Sequence, residues 1–159
     1  MCQFSGRRRG VQNSRVWVSH PHIVGIDTKP SHLVWIVQAP RGNIAQLKLY
    51  NATHDVAGVD IYPISYPHGR HVPEDANKEL SMVGDYTRKM ITVVENKKPV
   101  WLTLQISWSG VSRQNTLRFP TFPEARFMTY DAIINGARGL IYFGGSLTSN
   151  MNEADKALG

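Results

Sequence analysis

The sequence has one cysteine, Cys2, so no disulfide can form within the chain and nothing marks an oxidising compartment. No apolar run approaches the roughly 20 residues that span a bilayer, and no membrane association is expected. A signal-peptide pattern is missing too: Arg7-Arg8-Arg9 is followed by polar residues where an apolar stretch would stand. Gly144-Gly145 lacks the lysine and the spacing of a phosphate-binding loop. Acidic residues are few, 12 against 18 lysines and arginines, for a net charge of +6. Such a charge can mark a nucleic-acid binder. Here Arg7, Arg8, Arg9 and Arg15 crowd a non-periodic N-terminal segment and most other cations stand singly. No glycine-spaced aromatic platform accompanies them, so no nucleic-acid partner is expected. The compartment stays open.

What the chain does have is material for a core. It has 159 residues, 42% hydrophobic and 19% charged, which fits a globular domain. The organising stretch is Val100 to Trp108, an apolar, β-branched and aromatic run between Pro99 and Ser109-Gly110. It reads as a strand buried on both faces. Leu33 to Gln38, Val56 to Tyr62 and Gly139 to Phe143 repeat the pattern, each ending in a polar or aromatic group before proline or glycine. Strands are therefore expected near 33–38, 56–62, 100–107 and 139–143.

Helical patterns separate them. Ile44 to Tyr50 follows Asn43 as N-cap. Ser81 to Val94 places Met82, Val83, Tyr86, Met90, Val93 and Val94 on one face, with Ser81 as cap. Thr121 and Glu124 form a capping box for a helix whose buried face is expected to hold Phe127, Met128, Ile133 and Ile134. Alternating strands and helices predict an α/β fold of about four βα units on a parallel sheet, with a functional rim at the strands' carboxyl ends. Residues 1–30 are irregular, apart from a short strand at Val16-Trp17-Val18, and are poorly matched to the fold that follows. The units occupy 31–145, and 146–159 is polar.

The segments V-W-I-V-Q-A-P-R-G (34–42), D-V-A-G-V-D-I-Y-P (55–63), V-G-D-Y-T-R-K-M (83–90), K-P-V-W-L-T-L-Q (98–105) and R-F-P-T-F-P-E-A-R-F-M-T-Y-D-A-I-I-N-G-A-R-G-L-I-Y-F-G (118–144) together resemble the C-terminal half of a bacterial glycoside-hydrolase-like TIM barrel. The resemblance implies a partial (β/α)8 barrel whose four strands are the fifth to eighth. It implies a carbohydrate substrate, glycosidic bond hydrolysis and no cofactor. Two departures stand out. Nothing upstream matches the fourth strand that usually ends in an acid/base glutamate, and Gln105 stands where the seventh strand would offer a nucleophile. The expectation is a fragment incomplete without an N-terminal half. Its rivals are a non-catalytic carbohydrate-binding or structural barrel and an inactive gene fragment. Exposed sheet edges would favour self-association.

Glycoside hydrolysis generally needs two carboxyl groups flanking the bond. Asp60 is the carboxylate nearest a predicted strand end, a candidate for catalysis or for binding sugar hydroxyls. Gln105 can donate and accept toward a hydroxyl; its other reading is a buried amide satisfying loop backbone. Tyr62 and Trp108 offer faces for a sugar ring. Gln38 and Arg41 follow the first strand, and Tyr142 lies in the last. His68 and His71, three residues apart, lack a third ligand, so no metal is expected.

Overall fold

The computed structural model describes residues 15–19, 22–27, 33–39, 41–66, 68, 72–73, 76–110 and 118–144. A hairpin comes first. Strand β1 (Arg15–Ser19) pairs antiparallel with β2 (His22–Asp27), and the register shifts between Trp17 and Val18. The first strand matches the Val16-Trp17-Val18 expectation. The second lies beyond a proline that reads as an interruption.

The main sheet is built from β3 (Trp35–Gln38), β4 (Val56–Ile61), β6 (Val100–Gln105) and β8 (Gly139–Phe143). A two-residue strand β5 (Ser65–Tyr66) follows β4, and β7 (Ser109–Gly110) follows β6. The four main strands are all parallel and lie in the order β3-β4-β6-β8, each beside its neighbour in the chain. The expected four-stranded parallel sheet is therefore present. Helices α1 (Ile44–Lys48), α2 (Met82–Val93) and α3 (Phe122–Ile134) form the crossovers.

Local chemistry explains where the helices begin. Asn43 accepts from the Gln46 backbone N–H at 2.9 Å while Gln46 Oε1 accepts from the Asn43 N–H at 3.1 Å, a reciprocal cap. Thr121 and Glu124 repeat the device, with the Thr121 N–H donating to Glu124 Oε2 at 2.7 Å. Arg118 reinforces it through two contacts to the same carboxylate, at 2.8 and 2.7 Å. Those hydrogen bonds hold the Glu124 carboxyl down to about 2, the Arg118 guanidinium contributing most. Ser81 makes no side-chain cap for α2. It accepts instead from Asn77 Nδ2 at 2.9 Å.

One face of the sheet carries the core. Ala57, Val59 and Ile61 of β4 and Val100, Leu102 and Leu104 of β6 pack with Leu47 of α1, Met82, Val83, Tyr86, Met90 and Val93 of α2, and Met128 and Ala132 of α3. All three helices thus cover the same face. At Gly84 the helices α2 and α3 come close: the Gly84 N–H donates to Asp131 Oδ2 at 2.6 Å, and an added Cβ would strike Asp131 and Asn135. This contact orients α3 differently from its sequence pattern. Met128 and Ala132 face the core, whereas Phe127, Ile133 and Ile134 are exposed at 46%, 49% and 80%. Apolar residues surround nearly the whole helix, so spacing alone does not select the buried side.

Candidate functional site

Residues alternate across a strand, so the face turned away from the helices is fixed by the register. Gly58 pairs with Val37 and Trp101, Asp60 with Thr103, Trp101 with Gly139, Thr103 with Ile141 and Gln105 with Phe143. Trp35 shares this open face. Its ring centroid lies 6.4 Å from that of Trp101. The two indoles lie over glycines. A Cβ on Gly58 would run into Trp35 Nε1, and one on Gly139 would meet the Trp101 ring at 2.7 Å. Glycine within a strand permits this kind of close approach.

Because the strands are parallel, their carboxyl ends gather at one rim. Asp60 stands there near the end of β4, with Tyr62 just beyond. The Tyr62 phenol donates a hydrogen bond to Asp60. Its pKa is raised well above the ordinary tyrosine value, first by burial and then by the Asp60 charge and that hydrogen bond. The phenol therefore stays protonated and acts as a fixed donor to the carboxylate. Its ring also lies 5.8 Å from Phe143, the last residue of β8.

Gln105 ends β6, buried at 1% exposure. Its Oε1 accepts from the Ile64 N–H at 2.7 Å, and its Nε2 donates to Ile64 O at 2.8 Å and Ser107 O at 2.9 Å. Both amide hydrogens are thus committed to backbone. The side chain clamps the segment after β4 onto β6, and that clamp continues outward as the parallel β5–β7 pair, Ser65 beside Ser109 and Tyr66 beside Gly110. Ser107 is buried beneath Gly144, whose φ of 131° and crowding against the serine both call for glycine. Trp108 is half-buried between β6 and β7.

The remaining candidates lie elsewhere. Gln38 pairs with Val59 and so faces the helices. It is buried, and its amide has no hydrogen-bond partner among the described residues. Arg41 is exposed in the turn before α1. Tyr142 also faces the helices, its hydroxyl 2.8 Å from that of Thr129 on α3. The structure thus brings Asp60, Tyr62 and Gln105 together, with Trp108 following on the same segment. Gln38, Arg41 and Tyr142 stand apart from that group.

Three residues of this face escape a reading of the strands as uniformly buried: Trp35, Trp101 and Thr103. The glycines Gly58 and Gly139 are the signal that would have found the indoles. Thr103 lies beside Asp60, buried at 6% exposure, with no partner for its hydroxyl among the described residues. No cluster of three or more potential metal ligands occurs among the described residues. His68 is exposed, and His71 lies outside them. No helix among the described residues is long and apolar enough to cross a membrane. No protein-family model matches the chain, and no curated protein matches it in sequence.

Proposed function

We propose that this chain supplies the sugar-facing rim of a glycoside-hydrolase-like barrel, of which its four parallel strands form half. The observation that carries the reading is the Asp60–Tyr62 pair at the carboxyl end of a central parallel strand. A carboxylate has about four acceptor sites, so Asp60 can take sugar hydroxyls while Tyr62 holds it in place. Phe143, its ring 5.8 Å from that of Tyr62, supplies apolar area beside the pair for a ring face. Gln105 acts by positioning: it fixes the backbone of Ile64, two residues after Tyr62.

Asp60 is the one carboxylate on the open sheet face among the described residues. Cleavage of a glycosidic bond by paired carboxyl groups needs a second one, so the chain's own part is to bind and orient the sugar. That favours carbohydrate binding over catalysis by this chain alone. The test is tryptophan fluorescence titration with a panel of neutral oligosaccharides, comparing the wild type with Asp60→Ala. Saturable binding that the substitution weakens at least tenfold supports the reading. Binding that Asp60→Ala leaves unchanged, or none across the panel, removes it.

A further inference from the structure

The face of the sheet turned away from the helices is ordered in rows across the strands. One row holds Gly58, Trp101 and Gly139; the next toward the carboxyl rim holds Asp60, Thr103 and Ile141. Residues in one row point the same way from strands about 4.8 Å apart. Thr103 therefore has a carboxylate on one side and an aliphatic side chain on the other. On its own strand, Gln105 comes next on this face, and both its amide hydrogens go to the carbonyls of Ile64 and Ser107. Thr103 is buried, and its hydroxyl has no hydrogen-bond partner among the described residues. Asp60, half-buried beside it, does not accept from it.

We infer, resting on the sugar-binding reading above, that Asp60 and Thr103 share one ring hydroxyl of the sugar, which donates to the carboxylate and accepts from the threonine. An ionised carboxylate only accepts hydrogen bonds, whereas a sugar hydroxyl both donates and accepts. Asp60 alone would leave the lone pairs of that hydroxyl unmet. Tyr62 is already given over to Asp60 and Gln105 to backbone, which leaves Thr103 as the donor. Side chains in strands commonly occupy two χ1 settings. A step between such wells carries the threonine hydroxyl from its buried position to the bridging one without moving β6. Packing alone does not call for threonine here. Valine has the same shape, and it would spare the fold a buried hydroxyl with no partner. The pairing also sets what the site selects. A site built around a hydroxyl rejects the analogue that lacks it, because its own polar groups are then left unpaired.

The experiment is a cycle of variants against ligands on the full chain. Wild type, Thr103→Val and Thr103→Ser are titrated calorimetrically with disaccharides of glucose, galactose and mannose and with their monodeoxy derivatives. The expected result is one deoxy position that costs the wild type about tenfold in affinity. Thr103→Val should bind the parent sugar about tenfold more weakly than the wild type does, and bind that deoxy derivative equally well. Thr103→Ser keeps the hydroxyl and should keep the discrimination. Urea denaturation should place the Thr103→Val midpoint above that of the wild type. Sugar binding that Thr103→Val leaves unchanged overturns the shared hydroxyl while the sugar site stands. So does a variant that weakens the parent and every deoxy derivative alike, or a lower urea midpoint for valine, which would show the hydroxyl bonded within the fold. A wild type that binds none of these sugars defeats the sugar site and the pairing with it.

Discussion

The Tyr62 phenol donates to the Asp60 carboxylate two residues earlier in the chain, and both groups belong to the carboxyl rim of the sheet. Burial and the neighbouring charge act in the same direction on the phenol. Replacing the carboxylate therefore has a spectroscopic consequence. In Asp60→Asn the charge and the acceptor oxygen pair both change, leaving mainly burial to raise the phenol. Ultraviolet titration should find tyrosine ionisation at lower pH than in the wild type. An unchanged titration curve would show that the two groups do not interact.

Tyr62→Phe keeps the ring beside Phe143 and removes only the donor. Hydrogen bonds to charged groups contribute roughly 1.5–3 kcal/mol. Thermal stability should therefore fall by about that amount, and sugar affinity should drop as Asp60 loses the donor that orients it. Calorimetric titration beside a melting curve makes the comparison.

Gln105→Leu should destabilise the fold by roughly 3 kcal/mol, because the Ile64 N–H, Ile64 O and Ser107 O lose their partners at once. Urea denaturation measures the loss. Hydrogen exchange at the Ile64 amide should accelerate more than exchange in β8. A variant as stable as the wild type would mean that water replaces the amide without penalty.

Gly58→Ala forces a methyl group into the space of the Trp35 indole. Overpacking of this kind costs about 1–3 kcal/mol. The Trp35–Trp101 pair should shift its fluorescence maximum as the rings separate. Gly139→Ala should do the same through Trp101.

The capping carboxylate Glu124 ties stability to pH. Its folded pKa of about 2 lies below the ordinary glutamate value of 4.5. The contribution is complete above the unfolded value and fades as pH falls from about 4.5 toward 2. Glu124→Gln should flatten the wild-type loss of stability across that window, as followed by denaturant midpoints at each pH. A variant with the same slope as the wild type would exclude the Arg118–Glu124 contact as its source.

The strands and helix starts were legible because their causes are local. Asn43 with Gln46, and Thr121 with Glu124, satisfy backbone groups within one turn. The four strands announce themselves through β-branched runs cut off by proline or glycine. Their parallel order follows from alternation with helices. What depends on distant contacts was not legible. The buried side of α3 is chosen by Gly84 meeting Asp131, 47 residues away, and no periodicity within α3 encodes that choice. The commitment of Gln105 to Ile64 is equally non-local, at 41 residues. Its residue type fits a sugar ligand as readily as a loop clamp. Tyr142 lies inside the last strand, where packing is the readier reading of the sequence, and strand alternation turns it toward Thr129.

The central claim is that sugar hydroxyls are met at the carboxyl rim by Asp60 and its neighbours. It is tested most directly by backbone amide chemical-shift mapping during titration with the oligosaccharide that binds best. Perturbations should cluster at Asp60, Tyr62, Ile64, Thr103 and Trp108 and be absent in Asp60→Ala. Shifts confined to the amino ends of β4 and β6, or to the helix-covered face, would contradict it.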